Sequence, residues 1–383
     1  MKGRDVRGLL LVVPVPDELE AQRRAWSVVH SAFEEREPVA WPRRHARPLL
    51  ALAAALALIA AAFSPPGRAL LRDVRERIGV ERAAPALFSL PDGGRLLVVS
   101  QDGPWVVQPN GSKRLLGSYR EASWSPTGRF VVAARENELV ALEPDADVHW
   151  SLARPDVSLP RWGGSEVDTR IAYLSGSALR VVAGDGTGDR RFARGVEPVA
   201  PAWRPGVPHV LAYVERGGRL VVAEADSRRR LWSRRLARVG QLEWSSDGRL
   251  LLVQGRRFLR VFSASGRLRF YLVGREAAPV VDASFAPAGR RVAFVQRAGR
   301  QSHVWIVPRP RPDGGAARRI FVGKSPLTDI VWSPDGMWLL AAWEEADQWV
   351  FLRTAPVGKI RAVDNVTEQF GGSSPSIAGW CCP

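Results

Sequence analysis

Short apolar runs alternate with turn signals from about residue 88 to the end of the chain. The clearest copy of this pattern is residues 330–343, IVWSPDGMWLLAAW, in which an apolar run ends at Trp332 and a second one starts at Met337. Asp335-Gly336 lies between the runs; glycine accepts a positive φ, and an aspartate side chain can bond the turn backbone. The segment therefore predicts a strand, a tight turn and a second strand.

The same pattern recurs along the chain, each time with an aromatic residue at the end of the first strand. These anchors are spaced by about 38 to 48 residues, which is the length of one four-stranded propeller blade. The predicted anchors are Trp124, Trp162, Trp203, Trp244, Phe285, Trp332 and Trp380, and the predicted turn residues are Asp92, Asp247, Gly248, Asp335 and Gly336. The copies at Trp162 and Trp203 lack the Asp-Gly pair.

The segments between the anchors favour strands over helices. Three apolar runs of four or five residues follow Trp244, and each is bounded by Gly, Ser or Arg. A helical repeat of this length would need two apolar stretches of ten or more residues, and Gly and Pro occur too often for that. The sequence predicts an all-β fold, a β-propeller.

The Trp-Ser-Pro-Asp-Gly turn followed by an apolar strand resembles the WD-repeat-like propeller repeat of the TolB type. The resemblance covers about three quarters of the chain. It implies blade architecture and is silent on activity, because propellers host many functions.

Strand counting favours seven blades. The segment after Pro91 supplies only three strands of a blade, and residues 376–380 repeat an anchor strand with no blade behind it. Placing the C-terminal strand in the first blade closes the ring without an open inner edge. Phe88 is the rival for that position, so six or eight blades remain alternatives.

Residues 1–47 form a charged segment with one predicted amphipathic helix, which Asp17 could cap. This segment is interpreted as a cytosolic tail. Residues 65–84 are predicted to form a juxtamembrane stalk helix with arginines on one side, and residues 85–383 form the propeller.

Residues 48–64 are predicted to form a transmembrane signal anchor that contacts membrane lipid. Residues 49–63 carry no polar side chain, but a helix of this length reaches only about 23 Å, against a hydrocarbon core of about 30 Å. Arg43, Arg44 and Arg47 precede the run and favour a cytoplasmic N-terminal side, with the propeller extracytoplasmic in a single-pass arrangement. A cleaved signal and a buried helix are the alternatives.

The formal net charge is +16, and the basic residues are nearly all arginines scattered over the blades. A nucleic-acid surface should show a clustered basic stripe or a known module, so no nucleic-acid partner is predicted. Arginine used in place of lysine also suits a GC-rich, bacterial genome.

The sequence contains no recognised catalytic or metal-binding motif. The five histidines are isolated, and no H-E-x-x-H or G-x-S-x-G motif occurs, so no catalytic, metal or cofactor site is predicted. Cys381 and Cys382 are adjacent, and neighbours in the chain are closer than a usual disulfide spans. They are expected to fill apolar space beside the last strand, with an intermolecular disulfide as the alternative.

The function predicted is a membrane-anchored extracytoplasmic propeller that is a protein- or ligand-binding scaffold and not an enzyme. The alternatives are a glycan-processing or lyase-type enzyme that uses the central channel, and a transmembrane sensor whose cytosolic tail binds a regulator. An enzyme should gather carboxylates or histidines at one mouth of the channel.

The predicted topology has a direct test. Protease added outside intact cells should digest the chain beyond about residue 70 and spare the N-terminal tail, because the basic flank keeps that tail in the cytoplasm. Immunoblots with tags at either end report the result, and a protected propeller would contradict the topology.

Overall fold

The computed structural model describes residues 89–165, 167–273, 278–311 and 316–382. The predicted tail (1–47), anchor (48–64) and stalk (65–84), together with Phe88, lie outside these ranges. Within them, no helix combines the length and the apolar composition that crossing a membrane requires.

The described residues form seven antiparallel sheets of four strands each, which confirms the all-β, seven-bladed propeller. Blade 1 contains β1 (Arg95–Ser100), β2 (Gly103–Val107), β3 (Lys113–Leu115) and β28 (Ser376–Cys381). Blade 2 contains β4 (Glu121–Trp124), β5 (Val131–Arg135), β6 (Glu138–Leu142) and β7 (Val148–Ala153). Blade 3 contains β8 (Val157–Gly164), β9 (Thr169–Ser175), β10 (Ala178–Ala183) and β11 (Arg190–Arg194).

Blade 4 contains β12 (Ala202–Trp203), β13 (Val210–Glu215), β14 (Arg219–Glu224) and β15 (Arg230–Arg235). Blade 5 contains β16 (Val239–Trp244), β17 (Leu250–Gly255), β18 (Phe258–Ser263) and β19 (Leu268–Val273). Blade 6 contains β20 (Val280–Phe285), β21 (Val292–Ala298), β22 (Gln301–Val307) and β23 (Arg318–Gly323). Blade 7 contains β24 (Ile330–Trp332), β25 (Trp338–Trp343), β26 (Gln348–Thr354) and β27 (Val357–Asp364), followed by the short helix α1 (Val366–Gln369).

The hairpin between the first two strands of blades 5 and 7 follows from its turn residues. In blade 5, Asp247 Oδ1 accepts hydrogen bonds from Ser245 Oγ (2.6 Å) and from the Arg249 backbone N–H (3.0 Å). Asp335 makes the equivalent bonds with Ser333 Oγ and the Met337 N–H in blade 7. Gly248 and Gly336 adopt φ values of 63° and 67°, which a residue with a Cβ disfavours. We call the side of the propeller that carries these turns the turn face.

The hydrophobic core is a ring of seven apolar clusters, and each cluster lies between two adjacent blades. The anchor aromatics are buried at these boundaries. Three anchor indoles also donate a hydrogen bond to the preceding blade. Trp203, Trp244 and Trp332 donate Nε1–H to the carbonyls of Arg161 (3.0 Å), Ala202 (3.2 Å) and Ser284 (3.2 Å). Each anchor therefore packs one blade against the next, and three anchors also form a hydrogen bond to the preceding blade.

The ring closes within blade 1. Strand β28 pairs with β1 in an antiparallel register that places Trp380 opposite Leu96, as the strand count predicted. The Trp380 indole is 7% exposed and donates to the Gly93 carbonyl (3.1 Å). Because β28 comes from the end of the chain and β1 from the start of the described part, the two ends hold one sheet together.

The expectation for the cysteines was correct for the apolar filling and wrong in leaving out a bond between them. Cys381 and Cys382 form a disulfide with each other, although their Cα atoms are only 3.7 Å apart. Gly128 in the neighbouring blade makes room for the bridge, since a Cβ there would lie 2.8 Å from one sulfur and 3.0 Å from the other. Cys381 also packs against the apolar cluster between blades 1 and 2, so the filling role and the disulfide coexist.

Closure by β28 predicts that Trp380→Ala lowers the free energy of unfolding by about 3–5 kcal/mol, because it leaves a cavity between blades 7 and 1 and removes the bond to Gly93. Urea denaturation followed by circular dichroism measures the change. Tyr271→Ala is the control, because Tyr271 is 42% exposed, and it should have a much smaller effect. Equal losses in the two variants would contradict closure through Trp380.

Candidate functional site in the central channel

The first strands of the blades surround a central channel. A cavity of about 600 Å³ in this channel is lined by residues from all seven blades. Its polar lining is concentrated on blades 5, 6 and 7 and on one arginine of blade 3: Gln241, Glu243, Gln254, Asp282, Ser284, Thr328, Asp329 and Arg161. This volume falls in the range of cavities that hold small ligands.

Three carboxylates line the cavity on three consecutive blades. Glu243 precedes the anchor Trp244 by one residue, whereas Asp282 and Asp329 precede Phe285 and Trp332 by three. Odd offsets place these side chains on the strand face opposite to the buried anchor, because successive residues of a strand point to opposite faces. The regular position of the anchor therefore fixes where the carboxylates lie.

Each carboxylate accepts a hydrogen bond from the backbone of the next blade. Glu243 Oε1 accepts from the Phe285 N–H (3.1 Å) and from Ser284 Oγ (3.2 Å). Asp282 Oδ2 accepts from the Ile330 N–H (2.8 Å), and Asp329 Oδ2 accepts from the Ile377 N–H (3.0 Å). The carboxylates thus satisfy N–H groups on the inner edge of a neighbouring sheet.

A fourth carboxylate repeats the arrangement on the other side of the ring. Glu121 in blade 2 accepts a hydrogen bond from the Leu159 N–H of blade 3. Burial lowers the pKa of the nearby Arg161 guanidinium, and the charge of Glu121 partly restores it. Arg161 is the one cationic side chain among the residues that line the cavity.

Burial dominates the titration of these acids. It raises the pKa of Glu243 to about 8; the bond from Phe285 opposes the shift, and the charge of Asp282 adds to it. Burial likewise raises the pKa of Asp282 to about 7, against the bond from Ile330, and the charge of Asp329 adds to the increase. The pKa of Asp329 is raised mainly by burial. The exposed part of each side chain faces only the narrow channel, so bulk water solvates the charges poorly.

The channel retains unused hydrogen-bonding capacity. Within the described residues, Glu243 Oε2 and Asp329 Oδ1 accept no hydrogen bond, and the buried Thr328 hydroxyl has no partner. No group of three or more His, Cys, Asp or Glu side chains in the described ranges is arranged to hold a metal ion. The arrangement suits a ligand that donates hydrogen bonds or carries positive charge.

The predicted anchors and turn residues occupy different places. The anchors lie between the blades around the channel, and Asp247, Gly248, Asp335 and Gly336 lie in turns on the turn face. Asp92 also lies there: its Oδ2 accepts from the Asp335 N–H (3.3 Å), which links blade 1 to blade 7. None of these residues lines the cavity. They build the frame that positions Glu243, Asp282 and Asp329.

Sequence reasoning missed the channel acids. Glu243, Asp282 and Asp329 stand at odd offsets before three predicted anchors, so the alternation of the anchor strand contained the signal. No local motif contains these acids, because they are far apart in the sequence. In the structure, acids 39 and 47 residues apart are brought together by the blade repeat.

One histidine, His209, has partners that are distant from it in the sequence. His209 is buried, and its Nδ1 lies 2.5 Å from Asp226 Oδ2, while its Nε2 lies 3.3 Å from Asp168 Oδ2 of the adjacent blade. Within the described residues, no serine, threonine or cysteine side chain hydrogen-bonds to this ring. The cluster joins blades 3 and 4 on the turn face.

Comparison with known proteins identifies the fold and no family. No protein family profile and no curated protein matches the sequence. Among solved structures, the chain is similar to a candidate 6-phosphogluconolactonase from Bacteroides uniformis (TM-score 0.53, 14% identity, 71% of this chain and 98% of that one). A second candidate 6-phosphogluconolactonase, from Bacteroides fragilis, gives a TM-score of 0.52 at 13% identity, covering 76% of this chain and 98% of its own.

The chain is also similar to the dihydro-heme d1 dehydrogenase NirN in complex with DHE (TM-score 0.54, 17% identity, 77% of this chain and 67% of that one). At such identities these likenesses establish the propeller fold alone. They nevertheless correct the expectation that this protein is not an enzyme, because the neighbours of the same fold include proteins described as enzymes. The absence of catalytic sequence motifs does not exclude catalysis, because the channel acids are brought together by the fold and belong to no local motif.

The raised pKa of Glu243 predicts a pH dependence of stability. Between its ordinary value of 4.5 and about 8, the folded state keeps a proton that the unfolded state loses. Unfolding therefore releases a proton, and the free energy of unfolding falls as pH rises through this window and levels off above it. Glu243→Gln preserves an acceptor for the Phe285 N–H and should flatten the profile.

Urea denaturation between pH 5 and 9 measures this effect. Glu136→Gln is the matched control, because Glu136 is exposed and lies away from the channel, so its profile should follow that of the wild type. A Glu243→Gln profile as steep as the wild type would contradict the assignment.

Proposed function

We propose that this protein is a membrane-tethered, extracytoplasmic β-propeller that binds a small cationic ligand in its central channel. The observation that carries the proposal is the arc of three carboxylates on blades 5, 6 and 7 around a cavity of about 600 Å³. The tether would be residues 48–64, and the repeat would be of the TolB type. The apolar run and its basic flank support the tether, and the Trp-Ser-Pro-Asp-Gly turn supports the TolB-type repeat.

The electrostatics of the channel favour a cation. Neighbouring carboxylates oppose each other's ionisation, which raises the pKa of Glu243 and Asp282 beyond the effect of burial. A bound ammonium or guanidinium group would neutralise this repulsion and donate hydrogen bonds to the free lone pairs of Glu243 and Asp329. An anionic ligand would find one cation, Arg161, among the lining residues.

Organic cations fit better than metal ions. The acids of the arc are engaged by backbone N–H groups of successive blades, and the described residues hold no cluster with metal-ligating geometry. A ligand with several separated donors, such as a polyamine, can reach acids on different blades at the same time. The cavity volume is adequate for such a molecule.

A second candidate is catalysis of proton transfer in the same channel. Glu243 and Asp282 have pKa values of about 8 and 7, so near neutral pH each can donate or accept a proton. Perturbed acids of this kind in a cavity are typical of catalytic sites, although structural networks also produce them. Turnover of a substrate lost in Asp282→Asn and retained in Glu136→Gln would favour this candidate.

Cation binding should be coupled to proton release. Spermidine is the probe, and the full chain in detergent is the sample. Affinity should rise as pH increases from 6 to 8.5, because the channel acids must ionise to pair with the ligand. Calorimetry in buffers of different ionisation enthalpy should show protons released at pH 7.

The double variant Glu243→Gln/Asp282→Asn should lose this binding, and Glu136→Gln should keep it. Binding that is independent of pH, or that survives the double variant, would contradict a channel site.

A further inference from the structure

The turn face carries a second cavity, remote from the channel lining, between blades 5 and 6. Its volume is about 540 Å³. Five arginines line it, two from blade 5 and three from blade 6, and we call it the arginine pocket: Arg249, Arg269, Arg290, Arg309 and Arg311. Leu250 and Pro310 provide buried apolar surface, and the hydroxyls of Ser263 and Ser265 lie 3.0 Å apart at its edge.

The arginines converge because two kinds of turn meet at this boundary. Arg249 and Arg290 follow the first strands of blades 5 and 6, at equivalent positions of the hairpin turn. Arg269 lies near the start of β19, and Arg309 and Arg311 follow β22. All these positions lie on the turn face, because alternate connections of an antiparallel blade emerge on the same side.

Among the described residues, few carboxylates compensate the charge of the pocket. Asp247 is the carboxylate that contacts it: its Oδ2 lies 3.9 Å from Arg249 Nε and 3.7 Å from Arg290 Nε across the blade boundary. Within the described ranges, Arg269, Arg309 and Arg311 form no ion pair. Other surface arginines of this chain do have carboxylate partners, as in Arg229–Glu224 and Arg190–Asp226.

We propose that the arginine pocket binds a phosphate group. Guanidinium groups donate paired hydrogen bonds that match the oxygens of a phosphate, and several of them around one concave surface create a persistent positive potential. Asp247 lies between Arg249 and Arg290. Arg269, Arg309 and Arg311, which have no carboxylate partner among the described residues, would engage the ligand. The shared chemistry is that of a phosphomonoester or phosphodiester, carried either by a lipid headgroup or by a soluble molecule.

The lipid alternative rests on the proposed tether, which would make lipid one source of the phosphate group. The described chain enters the propeller on the turn face, where the Leu90 N–H donates to the Pro109 carbonyl (2.8 Å) and Arg95 Nη2 donates to the Gly128 carbonyl (2.7 Å). The predicted anchor ends at residue 64, which is 25 residues before Ser89. A lipid headgroup is therefore one of the two sources that the experiment separates.

The first arm tests for a phosphate site with inositol hexakisphosphate. The full chain is reconstituted in nanodiscs of phosphatidylcholine, and binding is measured by calorimetry at about 0.15 M salt, where long-range attraction is screened. The wild type should bind saturably. The variant Arg269→Ser/Arg309→Ser/Arg311→Ser should bind at least about tenfold more weakly, because each lost arginine removes charge-assisted hydrogen bonds.

The matched control removes the same charge elsewhere. Arg216, Arg235 and Arg300 are exposed and lie outside the pocket, so the triple serine variant at these positions should bind within about twofold of the wild type. Thermal unfolding shows whether all three proteins are folded. Absence of saturable binding to the folded wild type, or equal losses in both triple variants, would overturn the proposal.

The second arm separates the two sources of phosphate. Hydrogen exchange is compared between nanodiscs of phosphatidylcholine alone and discs that also contain phosphatidylglycerol. If the source is lipid, exchange at residues 264–267 and 308–311 slows in the anionic discs for the wild type and not for the variant that lacks the pocket arginines. If exchange is unchanged while inositol hexakisphosphate still binds, the pocket serves a soluble phosphate.

Discussion

The structure depends on how the inner edges of seven sheets are satisfied. The first strand of each blade pairs with its own blade on one side only, so its other edge presents backbone N–H groups to the channel. Glu121, Glu243, Asp282 and Asp329 accept bonds from these groups on the following blade. The same side chains that complete the ring therefore also supply the acidic groups of the channel.

Bonds between blades run in both directions around the ring. The carboxylates reach forward to the next blade, and the indoles of Trp203, Trp244 and Trp332 reach back to the preceding one. Apolar packing at the seven boundaries supplies the non-directional part of the stability, and the polar bonds fix the spacing at the centre. Acids with raised pKa values are the cost of this arrangement, since buried carboxylates resist ionisation.

The repeat made the fold readable from the sequence. The Asp-Gly turns, the alternating strands and the regular anchors predicted seven blades and closure by the last strand, because each of these features is local. The channel site was not predicted, because Glu243, Asp282 and Asp329 become neighbours only after the blades close into a ring. The bridge between Cys381 and Cys382 was missed for a different reason: the space for its sulfur atoms comes from Gly128, which lies in another blade.

The pairing of β1 with the last strand, β28, in blade 1 has a mechanical consequence. Residues 89–94 lead into strand β1, which lies between β2 and β28 with hydrogen bonds to both. A pull on that segment along the strand would load both ladders in shear, so several backbone bonds would have to break together. If β1 were an edge strand, only one ladder of hydrogen bonds would resist the pull. Closure through an inner strand therefore makes blade 1 more resistant to a pull on residues 89–94 than an edge strand would make it.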